Sequence, residues 1–306
     1  MHNPQVSVII PCHNVAAWVR TAVQSALNQG SVVREIIAVE NNSTDNTAEV
    51  LSGLADEFGI TVLVEPKPGA CAARNAGLHV STSAWIQFLD ADDVLLPGKI
   101  SRQLKHSNGV SNIAGAFDRI TRNGVHTTYK PLTDQWKALF STRLGITSSL
   151  LLRREDVLAA GAWNESLKSS QEYDLMFRMM KCGASFIADS EVLTLVHERS
   201  GQISGGDPGP RWQRYIDLRL DIVEYLKTHQ GQYFSAHASW YTQAMFDLAR
   251  IVHPHAPALA IDFMKAHVGS DYKPTVSEVT GKLYLKLYPI FGFPGTDKLI
   301  RFIRRS

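Results

Sequence analysis

The 306-residue sequence has only three cysteines, Cys12, Cys71 and Cys182. They are odd in number, widely spaced and form no C-x-x-C pair, which argues against a disulfide framework or a cysteine zinc site and fits a reducing compartment. Net charge is only +2, too small to call for nucleic acid or an acidic partner. No run reaches about 18 consecutive apolar residues, so no membrane-crossing helix is expected. The opening, MHNPQVSVIIPCHN, lacks the basic start and long apolar stretch of a signal peptide, and the expected location is cytoplasmic. There is no G-x-G-x-x-G fingerprint, no P-loop, no internal repeat and no low-complexity tract. Hydrophobic residues make up 44% and charged residues 20%, enough for a sizeable core without disulfides.

Short apolar runs alternate with helical patterns through the first hundred residues. VSVII (6–10), VREIIAV (33–39), TVLVE and AWIQFL read as strands. Between them lie NVAAWVRTAVQSALNQG, TAEVLSGLADEFG and ACAARNAGLHV; in the first, Trp18, Ala22, Val23, Ala26 and Leu27 follow helical spacing. This alternation predicts βαβ units and a parallel sheet, an α/β fold. Such sheets bind ligands beyond the carboxyl ends of their strands, where three polar patches fall: PCHN, ENNSTD and DADD. Farther on, IAGAFDRITRNGVHTTYK reads as a hairpin turning at Asn123-Gly124, ITSSLLLRRE as a strand, SSQEYDLMFRMMKCG as a helix, and ASFIADSEVLTLVHE as one or two strands. The loop GQISGGDPGP sets a boundary near residue 206. It separates an α/β domain over 1–205 from a mainly helical region over 206–306.

In FLDADD, an extended chain puts side chains two apart on one face. Asp90 and Asp92 then point the same way, and Asp93 points elsewhere. Two carboxylates at the end of a buried strand suit a hard cation, Mn²⁺ or Mg²⁺, completed by substrate phosphates. The alternative is that these aspartates are solvated or cap the next helix, VLLPGKISRQL. Asp93 fits the capping or supporting role.

Five segments, VSVIIPCHN, AVENNSTDNT, GACAARNAGL, FLDADD and QEYDLMFRM, occur in an order that resembles the family 2 inverting glycosyltransferases with the GT-A fold. The resemblance covers about residues 5–205. It implies a Rossmann-like, mostly parallel sheet flanked by helices, with a nucleotide-sugar half over about 1–100 and an acceptor half over 101–205. The implied reaction is metal-dependent transfer of a hexosyl or N-acetylhexosaminyl group from a nucleotide-diphosphate sugar, a UDP-sugar favoured, to a hydroxyl of a glycan or lipid-linked acceptor. Cell-surface polysaccharide synthesis is the implied setting.

The same resemblance implies roles position by position. Pro11 and His13 start a loop lining the nucleotide pocket. Glu40 and Asn41 stand where the family often has two acidic residues against the nucleoside, and the Asn41 amide oxygen could still accept a uracil N–H. Asn42, Ser43 and Asp45 read as turn and helix-cap residues. Arg74 pairs with the diphosphate or with an aspartate of the cluster. Asp92 holds the cation, Asp90 serves that ion and the donor, and His197 of LVHERSGQIS either completes the metal shell or touches the diphosphate. Glu172 takes the catalytic position, as base toward the acceptor hydroxyl, with Gln171 replacing a preceding acid and Asp174 read as helix N-terminal charge. Trp163 lies where the family has an aromatic residue near the acceptor; core packing explains it equally well.

The tail, GKLYLKLYPIFGFPGTDKLIRFIRRS, mixes basic, aromatic and aliphatic residues. It reads as a peripheral membrane contact through 281–306 or as a helix packed on the protein with a solvated basic end. Two rival functions use a similar sheet. A sugar-phosphate nucleotidyltransferase would carry a glycine-rich, arginine-containing loop where PCHN stands. A non-catalytic nucleotide-sugar or glycan binder would not need Asp90, Asp92 and Glu172.

Overall fold

The computed structural model describes residues 5–109, 111–198 and 208–303. Four strands, β1 (Val6–Cys12), β2 (Val33–Glu40), β3 (Thr61–Val64) and β4 (Trp85–Phe88), pair in parallel in the order β3-β2-β1-β4. The central β1 is buried on both faces, with Val6, Val8, Ile9 and Ile10 sealed from solvent, as expected of a parallel strand covered by helices. Each such side chain contributes roughly 1.5–3 kcal/mol on burial.

The covering helices are α1 (Val19–Leu27), α2 (Thr47–Phe58) and α3 (Ala70–Val80). The inward stripe of α1 is Val19, Ala22, Val23 and Ala26. Trp18, expected on that stripe, stands before the helix and is 41% exposed. α3 lies directly on β1 and β2: a Cβ at Gly77 would collide with Ile9. This close seat fixes where Arg74, one turn earlier, emerges.

The sheet continues β4-β8-β6-β9-β5, through β5 (Asp93–Leu95), β6 (Asn112–Ile120), β8 (Leu150–Arg153) and β9 (Phe186–His197). β4–β8, β8–β6 and β9–β5 are antiparallel, and β6–β9 is parallel. β7 (His126–Tyr129) forms the expected hairpin with β6, and Gly124 takes the positive φ (74°) that its turn requires. The segment VLLPGKISRQL is not one helix. Asp93–Leu95 pairs with Val196–Thr194 of β9, and α4 (Lys99–His106) starts only after Pro97 and Gly98. A partner a hundred residues away decides the state of these three residues.

α5 (Gln135–Phe140), α6 (Arg154–Ala159) and α7 (Gln171–Lys181) complete this part. Beneath it, Lys99 is fully buried and donates to Gln87 Oε1 and to the Leu150 carbonyl. Burial pushes its amine well below the usual lysine range, against a weaker opposing pull from Asp189. The cysteines are all free, with Cys12 and Cys71 buried and Cys182 exposed.

The chain divides into two compact units, Met1–Gln202 and Ile203–Ser306. The boundary expected near residue 206 lies outside the described residues. The second unit is helical: α8 (Pro208–His229), α9 (Gly231–Ala236), α10 (Ala238–Val252), α11 (Pro257–His267) and α12 (Lys282–Ile303). Its core includes Ile222, Leu226, Tyr241, Phe246 and Tyr284. Inside that core Asp297 is bound by Arg250 at 3.0 Å and His253 at 3.1 Å. Among the described residues no helix is long and apolar enough to cross a membrane.

Candidate active site

Parallel pairing brings three polar loops to one sheet edge. Cys12 is in register with Glu40, and Ile9 with Phe88, so the chain leaves β1, β2 and β4 side by side. The first two loops are stitched together. Asn14 (φ 52°) accepts the Thr44 N–H at 2.8 Å, and the Val15 N–H donates to Thr47 Oγ1 at 2.8 Å. Asp45 accepts the Thr47 hydroxyl at 2.5 Å and its N–H at 3.0 Å, which holds its carboxyl below the usual range. Asp45 thus serves the start of α2, as a turn and cap residue does.

His13 is exposed and places Nδ1 2.7 Å from the Asn41 carbonyl. A carbonyl only accepts, so Nδ1 carries the proton. Pro11, at the end of β1, is half-buried. Glu40 Oε1 accepts the Ser43 N–H at 2.6 Å. Asn41 departs from the role expected of it. It is 3% exposed, donates to the Glu65 and Lys67 carbonyls, and accepts the Gly69 N–H, each at 2.8 Å. Both amide hydrogens and the oxygen hold the loop between β3 and α3, so the side chain shapes the pocket wall and does not offer its oxygen to a base.

Within FLDADD, residues 90–93 form a turn between β4 and β5 and not an extended stretch: the Asp93 N–H donates to the Asp90 carbonyl at 2.9 Å. The three carboxylates therefore diverge in function by a different geometry from the alternation expected. Asp90 Oδ1 binds Arg74 Nη2 at 2.7 Å, and its N–H donates to Ser148 Oγ at 3.0 Å. Asp93 is buried and accepts the Ser148 hydroxyl at 2.5 Å; burial and the Asp90 charge hold its carboxyl well above the usual range. It supports the turn, as expected, but caps no helix: Gly98 stands before α4. Asp92 is half-buried, and its carbonyl lies 3.1 Å from His197 Nδ1, a neighbour supplied by the β5–β9 pairing.

Arg74 organises the centre. It is 6% exposed, its Nη1 donates to Gln171 Oε1 at 3.4 Å, and its guanidinium lies 4.5 Å from the centre of the Trp163 ring. Gln171 and Glu172 open α7. The acidic turn and the start of α7 thus meet through one guanidinium. Asp174 is held by Arg178 at 2.7 Å, in keeping with a structural role. Trp163 is 2% exposed and stacks edge-to-face on Phe88 at 5.2 Å. That burial matches the core-packing reading of Trp163 and not the acceptor one, and the ring is a platform for Arg74.

Glu165 and Ser148 escape a motif reading, while Asn75, inside GACAARNAGL, has the packing role its motif suggests. Asn75 donates to the Trp163 carbonyl at 2.9 Å and to Glu165 at 2.7 Å, and accepts the Trp163 N–H at 3.0 Å. Glu165 binds Lys67 at 2.5 Å. Ser148 ties the acidic turn from a segment of small polar residues. The only local signal was the Arg74-Asn75 neighbourhood, since each contact spans 55 residues or more.

Among the described residues no three His, Cys, Asp or Glu side chains converge as a metal cage. Asp92 and His197 are adjacent through the Asp92 carbonyl, and Asp90 is bound to Arg74. Asp92 and His197 alone would hold a cation only if substrate phosphates and water supplied its other ligands.

A half-parallel sheet with an acidic turn after its fourth strand, an arginine bound to that turn, and a glutamate-bearing helix beyond define a GT-A-type α/β protein. The chain belongs to glycosyl transferase family 2, whose model matches residues 7–159. It is 26% identical to a chondroitin synthase of Pasteurella multocida (strain Pm70) over 187 residues, 59% of this chain and 19% of that protein. It is 23% identical to the succinoglycan biosynthesis protein ExoO of Rhizobium meliloti (strain 1021) over 218 residues, 66% of this chain and 63% of that one. The chain thus spans about a fifth of the synthase and under two thirds of ExoO. The S. aureus TarS structure solved with UDP-GlcNAc superposes with a TM-score of 0.57 at 14% identity, covering 87% of this chain and 91% of that one. At that identity the likeness is one of fold.

Proposed function

We propose that this chain transfers a hexosyl or N-acetylhexosaminyl group, with inversion, from a nucleotide-diphosphate sugar to a hydroxyl of a glycan or lipid-linked acceptor in cell-surface polysaccharide synthesis. The family, and relatives named as a chondroitin synthase and a succinoglycan biosynthesis protein, support this reading. The observation that carries it is the Arg74 bridge between Asp90 and Gln171, the residue before Glu172.

In this reading the acceptor oxygen attacks the anomeric carbon from the face opposite the diphosphate. The bond to the diphosphate oxygen breaks as the new glycosidic bond forms, and Glu172 takes the hydroxyl proton. Arg74 and the loops bearing His13 and Glu40 orient the donor, and most of the acceleration comes from holding the reactants in line. Asp92 and His197 would hold Mn²⁺ or Mg²⁺. When bound, that ion supplies charge neutralisation for the departing diphosphate. A UDP-sugar is the favoured donor, and UDP-GlcNAc, bound by the TarS neighbour, is the first to try.

A thermal-shift panel of nucleotide sugars with and without Mn²⁺, read beside nucleotide release with several acceptors, tests this. Stabilisation by a UDP-sugar with Mn²⁺ and release of UDP on adding acceptor are expected. Stabilisation without release under all acceptors would favour a binding protein. No response to any nucleotide sugar would overturn the reading.

A further inference from the structure

In the C-terminal unit, α12 breaks at Gly292, whose φ of 62° and ψ of −172° no helix accommodates, between Pro289 and Pro294. The break opens a cavity of about 750 Å³ between α11, the loop at 270–274 and α12. That volume lies within the range of small-molecule sites, roughly 300–1,000 Å³. Its walls are apolar, formed chiefly by Met264, Leu285, Tyr288, Pro289 and Phe293. Its polar lining is Lys265, Lys273 and Ser270 with one acid, Asp271, so the two lysines leave a net positive charge.

Beside the cavity α12 leaves large apolar side chains in water: Leu283 50%, Ile290 72% and Phe291 50% exposed. Residues 281–306 carry six lysines and arginines against one acid, Asp297, and that acid is already bound by Arg250 and His253. An apolar cavity, exposed apolar side chains and the basic residues Lys282, Lys286, Lys298 and Arg301 of α12 match the interface of an anionic bilayer. The same charge disfavours a second copy on this face, since basic would meet basic.

We infer that this cavity is a lipid-binding pocket, which takes a hydrocarbon chain of an anionic bilayer lipid while its phosphate is held at Lys265 and Lys273. The inference stands apart from the proposed transfer reaction, because vesicle binding reads it whether or not a sugar is moved.

The test is flotation of the full chain with phosphatidylglycerol-containing vesicles and with phosphatidylcholine vesicles alone. Binding to the anionic vesicles is expected, with little to the neutral ones. Lys265→Glu/Lys273→Glu should weaken it about 25-fold or more, since each basic residue near an anionic surface is worth about fivefold. Leu285→Trp fills the cavity while leaving the lysines and the exposed Ile290 and Phe291 in place, and should also weaken binding. If that variant melts early, Ile290→Asp/Phe291→Asp, at exposed positions, decides: loss of flotation supports the site. Equal binding to both vesicle types, or wild-type binding by a folded Leu285→Trp, would overturn it. So would self-association in sedimentation that Ile290→Asp/Phe291→Asp abolishes, which would put a second copy on this face.

Discussion

Arg74 binds Asp90 at 2.7 Å while its guanidinium rests 4.5 Å from the centre of the Trp163 ring. A planar fork can hold a carboxylate at its edge and an aromatic ring at its face together; an ammonium cannot. Arg74→Lys should therefore lower kcat/KM by roughly 10²-fold, the scale of losing one positioned charge-stabilising donor. Trp163→Leu should cost less, since a desolvated cation–π contact is worth about 2 kcal/mol. The two act through one guanidinium, so Arg74→Lys/Trp163→Leu should be little worse than Arg74→Lys alone. Steady-state kinetics of the four proteins checks this, and additive losses would contradict it.

Asn41 is the hinge pin of the loop between β3 and α3. Asn41→Ala leaves two carbonyls and one N–H without their partner, each worth about 1–3 kcal/mol if it stays buried. Asn41→Asp keeps the acceptor for Gly69 but sets a carboxylate against the Glu65 and Lys67 carbonyls. Both variants should lose at least about 2 kcal/mol in urea unfolding and bind donor more weakly. An Asn41→Asp protein as stable as the wild type would show that the loop is held otherwise.

These two residues also show where sequence reading succeeds and stops. β1 to β4 and the three crossover helices were legible because their signals are local: short apolar runs, helical spacing, glycine and proline at the ends. The polar patches fell at the right edge because parallel topology allows few alternatives. Arg74 was expected to meet either the diphosphate or an aspartate, and the fold brings it to Asp90. The role of Asn41 was hidden because its partners are backbone groups of a loop 24 to 28 residues on. β5 was hidden because three residues before a proline carry no period, and only β9 makes them a strand. Trp163 read equally well as an acceptor contact or as core, and the contacts that decide it come from Asn75 and Phe88, far earlier in the chain.

Lys99 gives a pH signature. Burial holds its folded-state value below about 10.5, so between the two values the unfolded chain binds a proton that the folded chain does not. Its contribution is complete above about pH 10.5 and shrinks as pH falls toward the folded value. The stability of the wild type relative to Lys99→Met should rise from pH 7 to pH 10 in chemical denaturation. A difference that stays flat over this range would place the amine in a solvated or ion-paired setting.

Glu172, at the start of α7 beside the Arg74 bridge, is the proposed base for the acceptor hydroxyl. Single-turnover transfer by Glu172→Gln, measured alongside donor affinity by calorimetry, tests it most directly. The expected result is transfer slowed roughly 10²–10⁴-fold, the range for loss of a general base, with donor affinity close to that of the wild type. Transfer at near wild-type rate by Glu172→Gln would rule Glu172 out as the base.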